Sequence, residues 1–173
     1  KGKYLLSAVI RRDASSNFGP DNRFGYFPSV SAGWIASDES FLADNSFLDF
    51  LKFRGSYGIV GNDRIGSNRF VSVLDGQGIY PFNGSDVIGI AAGALANPGI
   101  KWETQKTFDI GLDMRFFDNK FDVTMDYYNR RTEDLLIAPP VSGILGASAP
   151  GSLSPFVNAG IIENKGFEFT IGY

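Results

Sequence analysis

The stretch TFDIGLDMRFFDNKFDVTMDYYNRR, residues 107–131, decides how this chain folds. Phe108, Ile110, Leu112, Met114 and Phe116 alternate with Thr107, Asp109, Gly111, Asp113 and Arg115. After Asp118-Asn119 the alternation resumes, with Phe121, Val123, Met125 and Tyr127 against Lys120, Asp122, Thr124, Asp126 and Tyr128. Successive side chains of a strand point to opposite faces, so this period of two predicts two long strands with an apolar, aromatic face and a charged face. A two-residue turn at Asp118-Asn119 pairs Phe117 with Lys120 and makes the residue numbers of every cross-strand pair sum to 237. An odd sum joins the polar positions of one strand to the polar positions of the other, so the turn and the hydrophobic pattern agree on one register. Arg115 then faces Asp122 and Asp113 faces Thr124, while Met114 meets Val123 and Leu112 meets Met125 on the apolar side. Opposed charges of opposite sign in a sheet contribute about 0.2–1 kcal/mol, enough to help fix register.

The same period recurs along the chain. Six strands are expected, at 3–12, 26–37, 48–60, 101–117, 120–133 and 163–173, and no helix. Pro28 lies inside the second, which argues for an edge or a bulge there. The connections at 13–25, 61–100 and 134–164 are long, and those at 38–48 and 118–119 are shorter. Long and short connections therefore alternate, which sends them to opposite ends of an up-and-down antiparallel sheet.

Composition excludes several functions. Of 173 residues, 43% are hydrophobic, Gly numbers 21 and aromatics make up 14%, with no Cys and no His. Disulfides, Cys or His metal sites and any nucleophile–His mechanism are therefore excluded. A net charge of −3 gives no reason to propose nucleic acid. The least charged stretch, 65–100, is rich in Gly, Pro, Ser and Asn and reads as loop, not as a transmembrane helix. Lys1-Gly2-Lys3 leads straight into a strand, without the apolar core of a signal peptide.

Two all-β architectures fit such strands. A soluble β-sandwich of lectin or adhesin type would bury the apolar faces against a second sheet, with loop aromatics such as Tyr80 and Phe82 holding a carbohydrate. A large transmembrane β-barrel of an outer membrane would turn them to lipid, and its long loops and short turns are segregated as here. The strand ending at Phe117 is long enough to cross a bilayer, which takes about 9–11 tilted residues. Trp102, Phe116, Phe117, Tyr127 and Tyr128 are candidates for interfacial girdles. On this reading, the even positions of strands one, two and four and the odd positions of strands three, five and six face lipid. The inner face is expected to be rich in Gly and Ser near Gly33, Gly55, Gly58 and Gly111, as suits a curved wall.

Four segments then become recognisable as a set: SAVIRRDASSNFGPDNRFGYFPSVSAGWIASDESFL, FLDFLKFRGSYGIVGNDRIG, NPGIKWETQKTFDIGLDMRFFDNKFDVTMDYYNRRTEDLL and NAGIIENKGFEFTIGY. In this order they resemble the barrel segment of the SusC/RagA family of TonB-dependent outer-membrane transporters, over almost the whole chain. The resemblance implies part of an importer of glycans or peptides in the bacterial outer membrane. It also implies that the importer works beneath a SusD-like surface lipoprotein and is energised by a TonB complex. Plugged transporters of this class have about 22 strands. Six strands and no plug domain are read here, so the chain is expected to be a piece of one barrel domain, 1–173, of a longer polypeptide.

No catalytic, cofactor or metal site is expected. Glu103, Asp109, Asp113, Asp122 and Asp126 could be read as glycosidase carboxylates. They read better as solvated lining, with Lys52, Arg54, Arg115, Lys120 and Arg130 as counter-ions on the same face. Asp75-Gly76-Gln77-Gly78 lacks the oxygen ligands of a calcium loop and reads as a turn. Asn83-Gly84-Ser85 matches a glycosylation sequon, but Asn-Gly is first a tight-turn signal, and Tyr80, Pro81 and Phe82 before it fit a loop hairpin. Gly89, Gly93 and Gly99 form no phosphate loop, and Arg11, Arg12 and Asp13 are read as an ion pair supporting the 13–25 loop. Loops 61–100 and 138–162 are expected to help form an extracellular vestibule.

Overall fold

The computed structural model describes residues 2–42, 45–74, 76–91, 93, 95–140, 142 and 154–173. Among these residues ten strands follow in chain order: β1 (Tyr4–Ala14), β2 (Phe24–Ile35), β3 (Leu48–Asn62), β4 (Gly76–Phe82), β5 (Ser85–Ala91), β6 (Glu103–Phe116), β7 (Phe121–Glu133), β8 (Leu136–Ile137), β9 (Val157–Asn158) and β10 (Ile161–Gly172). Six of them form one antiparallel meander in the order β1-β2-β3-β6-β7-β10; β4 and β5 form a separate hairpin, and β8 and β9 a short bridge. The only helical turn among the described residues is a 3-10 turn at Ala36–Asp38. No helix there is long and apolar enough to cross a membrane, which says nothing of strands.

The β6–β7 pairs sum to 237 from Thr104↔Glu133 to Phe116↔Phe121, the register expected from the sequence, with Arg115 opposite Asp122. Carried across the sheet, the pairing puts one set on one face throughout: even positions of β1, β2 and β6 with odd positions of β3, β7 and β10. That set is the apolar one, and it is bare. Leu6 is 79% exposed, Ile10 72% and Phe167 84%. No second sheet packs over this face among the described residues. Gly55 pairs with Ala32 and Ile110 and therefore belongs to the apolar face, not to the inner face where it was expected.

The apolar band is slanted relative to the ladder. One row of partners runs Tyr4–Trp34–Phe53–Leu112–Met125–Phe169. On β1 this row is the lowest of the band, which holds Tyr4, Leu6, Ala8 and Ile10. On β6 the band is Phe108, Ile110, Leu112, Met114 and Phe116, and on β10 it is Phe167, Phe169, Ile171 and Tyr173, so both extend two rows lower. The upper edge drops by the same two rows, from Ile10 on β1 to Phe167 on β10. Two rows of about 6.8 Å over five strand spacings of about 4.8 Å correspond to a tilt of about 30°. Barrel strands tilt by roughly 35–45°.

Local departures from the simple pattern have physical causes. At the β6–β7 turn, Phe117, Asp118 and Asn119 all take positive φ (56°, 57° and 61°), and the Lys120 N–H donates to both Phe116 O and Phe117 O. The turn therefore takes residues 117–120 rather than two, without changing register. A bulge lies between Leu48 and Phe50, and it turns the Asp49 carboxylate to accept the Asn119 N–H at 3.0 Å. Pro28 pairs with Ile10 without any bulge. The β2–β3 ladder ends at Ser29↔Gly58, so the N–H that Pro28 lacks has no partner strand to serve.

Asn83 and Gly84 close the β4–β5 hairpin with φ of 53° and 83°, the two positive values a tight hairpin turn needs. Gly76, Gln77 and Gly78 begin β4 instead of forming a turn, and Asp75 lies outside the described residues. The only buried cluster of any depth among the described residues sits at the long-connection end, where Phe18, Ile65 and Ile100 are packed by Phe70, Trp102, Leu136 and Phe156.

Candidate functional site

The polar face of the sheet is organised around Arg54. On this face the ladder row is Leu5–Gly33–Arg54–Gly111–Asp126–Glu168. Gly111 has no side chain, so the Arg54 guanidinium lies across β6 and reaches β7: its Nη2 is 2.5 Å from Asp126 Oδ1. Asp109 and Asp113, two residues either side of Gly111, flank it at 3.4 Å and 3.3 Å. A Cβ at position 111 would overlap the Arg54 guanidinium and the Asp126 carboxylate, so any other residue there would push these side chains out of their present contacts. The D-I-G-L-D run is thus the seat of an arginine that ties three strands together.

Of the carboxylates and counter-ions expected to intermingle along this face, only Arg54, Asp109, Asp113 and Asp126 converge. Glu103 stands apart near the long-connection end, accepting from Asn62 Nδ2 and from the Leu136 N–H, each at 3.0 Å. Arg115 lies over the Phe50 ring at 5.1 Å, and no ion pair joins it to Asp122 among the described residues. Lys52 stands opposite Asp113 in the ladder, also without an ion pair. The cluster joins three carboxylates to one cation on an open wall. Each of these carboxylates faces the same guanidinium, an arrangement that ties the strands together.

The two ends of the sheet differ. At the short-turn end a chain of rings follows the rim: Phe116 to Phe47 (5.1 Å), Phe47 to Phe117 (4.8 Å), Phe117 to Phe121 (5.8 Å) and Phe121 to Tyr173 (4.9 Å). Beside it, Glu39 accepts from Lys3 Nζ (2.9 Å), the Tyr4 hydroxyl (2.8 Å) and Trp34 Nε1 (3.3 Å). These bonds, that from Lys3 first, hold the Glu39 carboxyl below its ordinary value of 4.5.

Two girdle expectations fail. Trp102 precedes β6 and is tucked among the loops against Phe18 (5.2 Å) and Phe27 (5.3 Å). Tyr128 lies on the polar face, opposite Gly166. Tyr127 does face outward, with its ring 4.9 Å from Phe167.

At the long-connection end Arg11 and Asp13 form the expected ion pair at 2.5 Å. Asparagine side chains stitch the loops here: Asn22 to Gly99 O and Ile100 O, Asn97 to Phe156 O, and Asn158 to Lys101 O and Asp134 O. Residues 141 and 143–153 of the second expected vestibule loop lie outside the described residues.

Residues 1–173 match the family described as TonB-dependent receptor-like β-barrel. The chain belongs to this family. It is 38% identical over 169 residues to TonB-dependent receptor P3 of Formosa agariphila, covering 98% of this chain and 16% of that protein. It is 34% identical over 173 residues to TonB-dependent receptor SusC of Bacteroides thetaiotaomicron, covering 98% and 17%. Among solved structures, a chain of the RagAB peptide importer in its closed-closed state superposes with a TM-score of 0.82 at 28% identity, over 97% of this chain and 18% of that one. The chain thus spans about a sixth of the length of the curated relatives it matches. Within that family the unclosed sheet is one arc of a barrel, and the SusC/RagA resemblance read from the four sequence segments stands.

Proposed function

We propose that this chain is an arc of the wall of an outer-membrane importer energised through a TonB complex, with its apolar band against lipid and the Arg54 face toward the lumen. The observation that carries the reading is the slanted band. From Phe108 to Phe116 it covers about 27 Å along β6, or about 21–24 Å normal to a membrane at a tilt of 30–40°. Outer-membrane barrels carry an apolar band of about 25 Å. The long connections then lie outside the cell and the short turns in the periplasm.

The cargo on this reading is an oligosaccharide or a peptide. Kinship with SusC and with the RagAB peptide importer supports the class without choosing between the two. A SusD-like surface lipoprotein would sit over the extracellular rim, and loops 61–100 and 138–162 would line part of the vestibule beneath it. Contact with TonB would be made by parts of the receptor beyond this chain. The reading involves no catalytic step, cofactor or nucleic acid.

The test uses the full-length receptor. It is expected in the outer-membrane fraction, extractable only with detergent, and its deletion is expected to abolish growth on a dilute oligosaccharide or peptide source. Recovery of the intact protein in the soluble fraction without detergent would defeat the proposal.

A further inference from the structure

Four cations follow the upper edge of the apolar band on its outward face. The row Ala8–Val30–Tyr57–Phe108–Asn129–Lys165 contains Lys165, directly above Phe167 on β10. One row up, Lys106 on β6 faces Arg131 on β7. Two rows up on β1, Arg12 faces Tyr26. From Arg12 to Lys165 the tier descends two rows, the same drop as the band edge, so once the strands are tilted these cations stand at one level. Among the described residues the lower edge of the band has no such tier. It ends in Tyr4, Trp34, Phe116, Phe121 and Tyr173, and the Lys3 ammonium near it is held by Glu39.

The side chains of the tier are prepared for an external anion. Lys106 and Arg131 are like charges set directly opposite, normally an unfavourable pairing in a sheet. Glu133 holds them together, 2.5 Å from Lys106 Nζ and 2.8 Å from Arg131 Nε. That contact leaves both terminal nitrogens of Arg131 outside the bridge. Lys165 has no ion-pair partner among the described residues, and the neighbouring Glu163 carboxylate accepts from Asn129 instead, at 3.0 Å. The Arg12 guanidinium lies 3.9 Å from the Phe24 ring centre and 5.7 Å from that of Tyr26, a cation held on aromatic faces.

We infer that this tier binds the phosphate groups of anionic glycolipid headgroups in the outer leaflet. Charge complementarity makes the assignment: ammonium and guanidinium groups directly above a hydrocarbon-facing band lie in the headgroup layer, and phosphate is the anion whose geometry the guanidinium fork matches. Arg131 and Lys165 are diagonal neighbours about 7–8 Å apart at the backbone, a span that two long side chains close around one phosphate. The inference rests on the outer-membrane reading above.

The experiment titrates the full-length receptor, purified in uncharged detergent, with a bisphosphorylated glycolipid, with the same lipid after phosphate removal, and with inorganic phosphate, following the thermal unfolding midpoint. The phosphorylated lipid is expected to raise the midpoint, less so at high salt, and the other two to leave it unchanged. Lys165→Gln, which breaks no ion pair, is expected to weaken the apparent affinity about five-fold, and Lys106→Gln/Arg131→Gln/Lys165→Gln about a hundred-fold. An equal response to the dephosphorylated lipid, or an unchanged affinity in Lys165→Gln, overturns the inference. A response reproduced by inorganic phosphate alone also overturns it in favour of a free-anion site. A receptor that needs no detergent fails the outer-membrane reading itself, whereas one that needs detergent but ignores the phosphate fails only this inference.

Discussion

Tyr4 and Leu112 occupy the same ladder row, three strands apart in the meander, yet the slanted band puts them at different depths. Leu112 is the third of the five outward side chains that make the apolar band on β6 and so lies at mid-band, whereas Tyr4 is the lowest of the four that make it on β1. An arginine on the lipid face of a barrel costs about 2–4 kcal/mol at the midplane and about 0–1 near an interface. Leu112→Arg is therefore expected to destabilise the receptor by about 2–4 kcal/mol and Tyr4→Arg by no more than about 1, the more so because Glu39 stands ready to pair with the new cation. Thr170→Arg, on the polar face and exposed, is the control and should cost less than about 1 kcal/mol. Position 111 cannot serve as that control, because the Arg54 guanidinium occupies the space above it. The assay is reversible urea unfolding of the full-length receptor in lipid vesicles, with heat-modifiable electrophoretic mobility as the readout of the folded barrel. In a packed sandwich, outward residues of one row lie at similar depth in the core, and the two arginines would cost the same. Equal costs at 4 and 112 would thus refute the slanted band and the membrane reading built on it.

Two further perturbations probe the wall itself. Gly111→Ala is expected to destabilise the wild type by about 1 kcal/mol, because the loss of up to three partly exposed ion pairs at about 0.2–1 each outweighs the gain of about 0.5–1 from replacing a strand glycine. In an Arg54→Ala background the same change should be neutral or stabilising, and a double-mutant cycle without that reversal would remove the close-approach argument. At the short-turn end of the sheet, the Glu39 carboxyl is held low by Lys3, Tyr4 and Trp34, so the folded state prefers it ionised. Its contribution is complete above the ordinary value of 4.5 and is lost as pH falls below that value through the lower folded one. The difference in unfolding midpoint between wild type and Glu39→Gln should therefore be flat above that range and shrink below it; a difference that grows toward acid pH would have the wrong sign.

The β6–β7 hairpin was legible in the sequence because two independent constraints, the period of two and the turn, selected one register. The turn's length was not legible. Asp-Asn without a following glycine forces non-glycine residues into positive φ, and Phe117 follows because its ring gains Phe47 and Phe121 as neighbours. The Asn83-Gly84 turn was readable for the opposite reason, yet the strands beside it were hidden by Gly76, Gly78 and Pro81, which carry little strand propensity. Trp102 looked like an interfacial residue because it adjoins a long strand. Only the three-dimensional course of the chain places Phe18, from the β1–β2 connection, and Phe27, on β2, against it. The Arg54 cluster left a trace that alternation alone does not isolate: a glycine on the polar face with an aspartate two residues to either side.

That cluster also bears on what lies on each side of the sheet. The row of Arg54, Gly111 and Asp126 falls between Ile110 and Leu112, at mid-band, where the outward face is entirely apolar. Three carboxylates share one guanidinium there, so negative charge exceeds positive by two within the cluster, and Lys52 stands opposite Asp113 without pairing. Charges in that excess cannot face hydrocarbon, since each unpaired ion taken from water costs several kcal/mol. They persist where water or a cationic partner covers them. On the proposed reading a single layer of strands therefore separates lipid on the side of Leu112 from a polar interior on the side of Asp113 and Asp126. An apolar face set against a charged one suits a boundary between lipid and a polar interior, the placement proposed above, and the alternation from Thr107 onward carries that difference in the sequence.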